Sequence, residues 1–303
     1  MEIRTLRYFL ALVQEGSISK AAKALYITQP TLSRQLAALE EHVGAPLYER
    51  GNKRVSLTEE GMALYDYAKA IVELADRAEE ELMTGDHALR GNVYIGAGEA
   101  GSMRVIARAI ESLHGMHPDI RYHIFSGSTL DLTERLDRDL LDFVLECEAV
   151  SRVGYDMLRL PIPNVFGAIV RRDSALAQLE VVRPKDLEGQ IVTFSRQLIK
   201  SGFIKGWAGE SFDKIQIVTT HNLLLNPSFL IREGFGCTVT YGGLLDTSEN
   251  SELCFIPIDP PIVTHNALVW KKDRRLSRAA QAFLEQVKVE SSAFESEERD
   301  ASR

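Results

Sequence analysis

The sequence predicts an α/β protein that carries a separate all-α head at its N-terminus. Three observations lead there. Apolar residues recur at three- and four-residue spacing through residues 3–43, which is the period of buried helix faces. A heptad of mostly small residues follows over residues 61–82. From Gly91 onward, short β-like runs alternate with helical periodicity, the pattern of a mainly parallel sheet covered by helices.

The head begins with a helix over 3–15, its inward stripe formed by Leu6, Phe9, Leu10 and Val13. Gly16 stops it. Ser17 caps a short helix that turns Ala21, Ala22 and Leu25 inward. Tyr26-Ile27 makes a turn, and Thr28 caps a third helix. Pro30 stands in the first turn of that helix, where a missing N–H costs nothing. Leu32, Leu36, Leu39 and Val43 form its buried stripe, and Gly44 ends it. Two β-like runs, 46–49 and 55–57, flank Arg50-Gly51-Asn52-Lys53-Arg54, whose Gly-Asn pair is turn chemistry. A hairpin with a basic tip results.

Helix, short turn and helix followed by a hairpin is a winged helix-turn-helix. This geometry lays its second helix in the major groove of double-stranded DNA. The outer face of that helix shows Gln29, Pro30, Ser33 and Arg34. Gln pairs with adenine edges, Arg with guanine or phosphate, and Ser with either. Thr28 and Thr31 stand at the helix N-terminus, which favours a phosphate. Arg50, Lys53 and Arg54 can reach the backbone or a narrow minor groove from the wing. Solvent alone also selects a polar helix face, so the face by itself does not decide. Charge leans the same way. Residues 1–57 hold 8 Lys/Arg against 5 Asp/Glu, a net of +3, within a chain of net charge -8.

A long helix over 58–83 comes next, with Glu59 and Glu60 at the positive end of its dipole. Gly61, Leu64, Ala68, Ile71, Ala75, Ala78 and Leu82 form its seam, which predicts helix-on-helix contact, most simply with a second copy. Strands are predicted at 93–97, 120–125 and 142–146, with helices at 102–114 and 130–139 between them. Leu160-Pro161-Ile162-Pro163 reads as a crossing between two lobes. Further strands fall at 165–170, 191–194, 215–218 and 237–240, with helices near 199–208 and 223–232. The chain crosses back at Thr264-His265 and ends in a helix over 277–287 and a disordered tail over 291–303. The domains are therefore 1–57 for the head, 58–90 for the linker helix and 91–290 for the body. Lobe I comprises 91–161 and 266–290, and lobe II comprises 162–265.

No apolar run approaches the roughly 20 residues of a membrane helix, and the first residues lack a signal-peptide core, so the cytoplasm is expected. Cys147, Cys237 and Cys254 show no metal spacing and read as reduced thiols, and neither metal nor cofactor is expected.

The run Leu6-Arg7-Tyr8-Phe9, Gly16-Ser17-Ile18-Ser19-Lys20-Ala21-Ala22, Leu25-Tyr26-Ile27-Thr28-Gln29-Pro30-Thr31-Leu32-Ser33-Arg34-Gln35, Gly44-Ala45-Pro46-Leu47-Tyr48-Glu49-Arg50 and Leu57-Thr58-Glu59-Glu60-Gly61 resembles the LysR-type transcriptional regulators. The resemblance spans the first 61 residues without a gap. It implies Gln29, Pro30, Ser33 and Arg34 on the major groove, Arg50, Lys53 and Arg54 at the wing, and the long helix as a dimer linker. The body is similar at Gly91-Asn92-Val93-Tyr94-Ile95-Gly96, at 136–142 with Asp139 where Gly is usual, and at 231–236. It implies an effector domain of two α/β lobes resembling a periplasmic binding protein. The expected partners are then double-stranded operator DNA, a small-molecule effector, a second copy in a dimer or tetramer, and RNA polymerase as a further candidate.

Ligands in such sheets sit at the carboxyl ends of strands. The candidates there are Glu99, Ser102, Ser128, Thr129, Glu146, Phe194, Arg196, His221 and Asn222. Small carboxylates are common effectors in the family, but two acids, Glu99 and Glu146, oppose one unless a base such as Arg196 pairs with them. Cationic, hydroxylated and neutral ligands stay open. An α/β enzyme or a cytosolic small-ligand-binding protein without a DNA role is the alternative. Gly96-Ala97-Gly98-Glu99-Ala100-Gly101 matches a G-x-G-x-x-G pattern but lacks an acidic residue ending a second strand about twenty residues on.

Overall fold

The computed structural model describes residues 1–50, 55–82, 89–147 and 151–301, which form two compact units, Met1–Asp86 and His87–Arg303. The first unit holds α1 (Ile3–Glu15), α2 (Ile18–Ala24), α3 (Gln29–Val43), β1 (Tyr48–Arg50), β2 (Val55–Leu57) and α4 (Glu59–Leu82). Leu6, Phe9 and Leu12 of α1 are fully buried against Ala21 and Ala22 of α2 and Leu32, Leu36 and Leu39 of α3. Leu10 and Val13 are only half-buried at the edge of this core, and Val43, expected inside, is exposed. Gly16 and Gly44 take left-handed C-cap conformations, with φ of 68° and 79°. The Ser17 hydroxyl accepts from Lys20 N at 3.2 Å, as its predicted cap role requires.

The wing strands pair antiparallel, Tyr48 with Leu57 and Arg50 with Val55. The first strand starts two residues later than the sequence suggests because Pro46 and Leu47 serve another purpose. Their carbonyls accept from the hydroxyl and the N–H of Thr58, which seats the start of α4 on the head. Gly61 sits so close that a Cβ there would lie 1.8 Å from the Leu47 carbonyl oxygen. The face of α4 holding Leu64, Tyr65, Ala68 and Val72 then packs into the core of its own head. Leu64 and Ala68 are therefore spent within the chain, which corrects their assignment to a seam between copies.

The second unit runs β3 (Gly91–Ala97), α5 (Met103–Met116), β4 (Ile120–Ser126), α6 (Thr129–Asp137), β5 (Phe143–Cys147), β6 (Tyr155–Arg171), β7 (Ile191–Ser195), α7 (Arg196–Lys200), α8 (Phe203–Ala208), β8 (Gln216–His221), α9 (Leu225–Arg232), β9 (Cys237–Tyr241), β10 (Leu253–Pro257), β11 (Val263–Lys271) and α10 (Arg278–Ala301). One sheet runs β4-β3-β5-β11-β6-β9-β7-β8, with β10 paired on β6. Strands β3, β4 and β5 are parallel in lobe I, and β7, β8 and β9 are parallel in lobe II.

β6 and β11 are the two crossings between lobes. Residues 155–159 of β6 pair with β11 in lobe I, while residues 166–171 pair with β9 and β10 in lobe II. Each lobe has its own core, one around Val93, Ile95, Phe143 and Phe283, the other around Phe166, Val192, Phe194 and Val239. The single 17-residue strand β6 replaces the expected crossing loop followed by strand 165–170. The expected helix near 199–208 is two short helices, broken where Gly202 adopts a φ of 72°. Asp139 takes a φ of 61°, so the residue standing in place of the usual Gly keeps the left-handed turn.

The tail expectation fails. α10 continues through Ala301 where disorder is expected from residue 291, and residues 302–303 of that expectation lie outside the described residues. Phe294 is buried on the lobe I core, with the Arg108 guanidinium 3.9 Å from its ring centroid and bonded to Glu297 at 2.8 Å. The charged, serine-rich composition concealed one apolar residue that helical periodicity turns inward. Phe294→Ala should destabilise this unit by about 3–5 kcal/mol, the usual cost of a large aromatic cavity. Urea unfolding of the full chain checks this, and an unchanged midpoint would show that the last turns of α10 add nothing.

Candidate functional site

Two sites follow, one in each unit. In the first, Thr28 stands before α3 and its hydroxyl accepts from Thr31 N at 3.4 Å and meets the Thr31 hydroxyl at 2.8 Å. This caps the helix and fixes its start. The fully buried Leu32, Leu36 and Leu39 set the rotation of α3, so Gln29, Pro30, Thr31 and Arg34 are exposed and Ser33 is half-buried on one outer face. Ser19 donates to Gln29 Oε1 at 3.0 Å, which orients that amide from α2. Tyr26, in the turn ahead of α3, is 97% exposed with a φ of 55°. It lies in the turn expected at Tyr26-Ile27. Arg50 closes β1 at the wing, while Lys53 and Arg54 lie outside the described residues.

The second site is a cleft between the lobes with about 570 Å³ of empty space, part of it open to solvent. Gly98 and Glu99 follow β3, Gly127 and Ser128 follow β4, Cys147 ends β5, Ser195 ends β7, His221 ends β8 and Tyr241 ends β9. Each of these residues thus stands at the carboxyl end of a parallel strand. Of the residues expected there, Glu99, Ser128, Thr129, His221 and Asn222 line the cleft.

Four others do not. Ser102 is fully buried at the crossing, donating to the Ile162 carbonyl at 3.2 Å. Glu146 is buried and paired with Arg152. Strand alternation turns Phe194 into the lobe II core. Arg196 is exposed, its Nε donating to Thr220 at 3.4 Å, and is not among the cleft residues. Cys147 lines the cleft at the strand end where the sequence puts Glu146-Cys147, and Gln197, Thr240 and Tyr241, which the sequence does not mark, line it too. Their shared signal is position at or just past a strand end, which needs correct strand boundaries to be seen.

Hydrogen bonds join the lobes across this cleft. Leu224 N, just before α9, donates to Glu99 Oε2, and Thr129 N donates to Gln197 Oε1 at 3.4 Å. His221 is buried with its Nδ1 3.0 Å from the Thr193 hydroxyl. Burial pushes its imidazole down to about 4 from an ordinary 6.5, which keeps it neutral near pH 7. Burial likewise pushes the Cys237 thiol up to about 12, so it stays protonated. Among the described residues no helix is long and apolar enough to cross a membrane.

A capped helix-turn-helix in one unit and a two-lobed cleft in the other define a transcription regulator that combines a DNA-binding head with an effector-binding domain. The chain belongs to the LysR family of bacterial regulators. The family model for the lysR-type regulatory helix-turn-helix matches residues 3–62, and that for the LysR substrate binding domain matches residues 86–291. The Hca operon transcriptional activator HcaR of Escherichia coli is 28% identical over 281 residues, covering 90% of this chain and 92% of HcaR. The regulator BenM of Acinetobacter baylyi is 31% identical over 186 residues, covering 61% of this chain and 57% of BenM. Full-length CbnR, solved in complex with its target DNA, matches 96% of this chain and 100% of its own with a TM-score of 0.72 at 19% identity, a likeness of fold.

The buried histidine gives the cleft a measurable pH signature. Above pH 6.5 the imidazole is neutral in folded and unfolded chains alike. Between 6.5 and about 4 the unfolded chain binds a proton that the folded chain refuses, so stability falls as pH falls through that window. His221→Asn should reduce this acid loss, read as urea unfolding midpoints across the same range. Equal slopes in the two proteins would contradict the burial argument.

Proposed function

We propose that α3 reads operator DNA in the major groove through Gln29, Pro30, Ser33 and Arg34, with Thr28 and Thr31 at its N-terminus toward phosphate. The observation that carries this is the opposition of a fully buried leucine stripe to an exposed polar stripe on one short, capped helix. Arg50, Lys53 and Arg54 reach the DNA backbone from the wing. The interlobe cleft holds the small-molecule effector through Glu99, Thr129, His221 and Asn222, and its occupancy biases the angle between the lobes. The protein acts in the cytoplasm as a regulator and not as an enzyme.

In a gel-shift on the DNA upstream of its own coding sequence, Arg34→Ala should weaken binding by about 1–3 kcal/mol if the guanidinium holds a base bidentately. Lys53→Ala should weaken binding evenly across sequences and reduce the salt slope by about one. Two mutants that bind like the parent would remove this assignment of the head.

Self-association uses the face of α4 that its own head leaves uncovered. Tyr67, Ile71, Leu74 and Ala78 repeat at four, three and four residues, and all are exposed. This is a heptad stripe displaced around the helix from Leu64 and Ala68. Changing Ile71 and Leu74 to Glu places like charges across a two-fold contact. Sedimentation should show the dimer lost with the fold retained, whereas an unchanged mass would place the interface elsewhere.

A further inference from the structure

The family reading leaves the chemistry of the effector open, and the cleft residues narrow it. We propose that the cleft takes a small molecule carrying a protonated amine on an apolar body, with Glu99 as its counter-ion, and that it disfavours carboxylates. This rests on the reading of the cleft as the effector site.

Glu99 is the only acidic residue lining the cleft among the described residues, and no Lys or Arg joins it there. Two bases close in sequence to its walls are engaged with other groups. Arg152 pairs with Glu146, and Arg196 is exposed and bonded to Thr220. His221 adds no positive charge near pH 7, because burial holds it neutral. A bound carboxylate would therefore face Glu99 inside a partly desolvated cleft with no cation among the described lining residues to offset the repulsion.

An anion has a second disadvantage. The backbone N–H of Leu224 at the start of α9 would suit one, but it already donates to Glu99 Oε2. The protein's own carboxylate fills that position. An ammonium instead adds an opposite charge beside Glu99 and can donate to oxygen acceptors on the same walls, such as the Thr129 hydroxyl. Leu198, Leu224, Leu244 and the Tyr241 ring supply the apolar surface for the rest of the molecule. An aromatic face also favours a cation.

Matched probes on one skeleton test this with the full-length protein. Phenethylamine, 2-phenylethanol and phenylacetate form one set, and the hexyl amine, alcohol and hexanoate form a second. Calorimetric titration should rank the amine first in each set for the parent. Glu99→Gln keeps an oxygen for the Leu224 N–H but removes the charge, so the amine should bind about tenfold more weakly or worse. Glu99→Lys should turn the ranking toward the carboxylates. A parent that prefers carboxylates, or shows no preference for the amines through equal binding or none, overturns the proposal. So does an amine preference that persists in Glu99→Gln. Thr129→Val separates the two levels of the argument. If binding is lost in Thr129→Val but unchanged in Glu99→Gln, the cleft is the site and the charge assignment falls. Amine binding that survives both variants places the ligand outside the cleft and removes both readings.

Discussion

The two-lobed body depends on a pair of buried asparagines at the point where the chain crosses between its halves. Asn164 of β6 and Asn266 of β11 exchange side-chain hydrogen bonds at 2.6 and 3.2 Å, and both are essentially inaccessible to solvent. Asn266 also donates to the Ser102 hydroxyl at 2.7 Å, and Ser102 in turn donates to the Ile162 carbonyl. An unsatisfied buried amide costs about 1–3 kcal/mol, so the three side chains hold one another in place. An apolar crossing could slide. A reciprocal amide pair has one register, and that register fixes which strand ends face each other across the cleft. The β-bulge between His265 and Ala267 lies beside it, where β11 passes from one lobe to the other.

The head solves a different problem with α4. A helix of 24 residues cannot bury all its apolar surface on three short helices. It divides that surface around its circumference. Leu64, Tyr65, Ala68 and Val72 face inward, Gly61 allows the close approach to Leu47, and Tyr67, Ile71, Leu74 and Ala78 face outward. A heptad count on sequence alone merges the two stripes, since neighbouring positions such as Tyr67 and Ala68 belong to different partners. Only the location of the head shows which stripe is already covered.

What the sequence disclosed follows the range of the interactions involved. The caps at Ser17 and Thr28, the glycine stops at Gly16 and Gly44, and the leucine stripe of α3 are local chemistry, and each stands where local reasoning puts it. The misplacements have non-local causes. Pro161 and Pro163 disguised the middle of the longest strand. Phe194 and Glu146 alternate along their strands toward core and partner, and a one-residue difference in strand register decides between wall and interior. The last turns of α10 are held by Arg108, about 190 residues away in sequence, which no window centred on the tail can contain.

The cleft therefore owes its character to what long-range packing subtracts from it. Counting strand ends in the sequence gives two carboxylates and one arginine near the ligand. Folding withdraws Glu146 into its pair with Arg152 and leaves Arg196 outside, so among the described residues one carboxylate remains. That carboxylate also spans the lobes, because Glu99 belongs to lobe I and the N–H it accepts from belongs to Leu224 of lobe II. The same group is thus both a closing contact and the principal charge of the site. In the proposed reading, a ligand that binds at Glu99 alters one of the contacts between the lobes, so recognition and response share a residue. It can shift the lobe angle only by the difference in its affinity for the two arrangements. A charge at the bridging residue makes that difference large for ligands of one sign and small or opposite for those of the other.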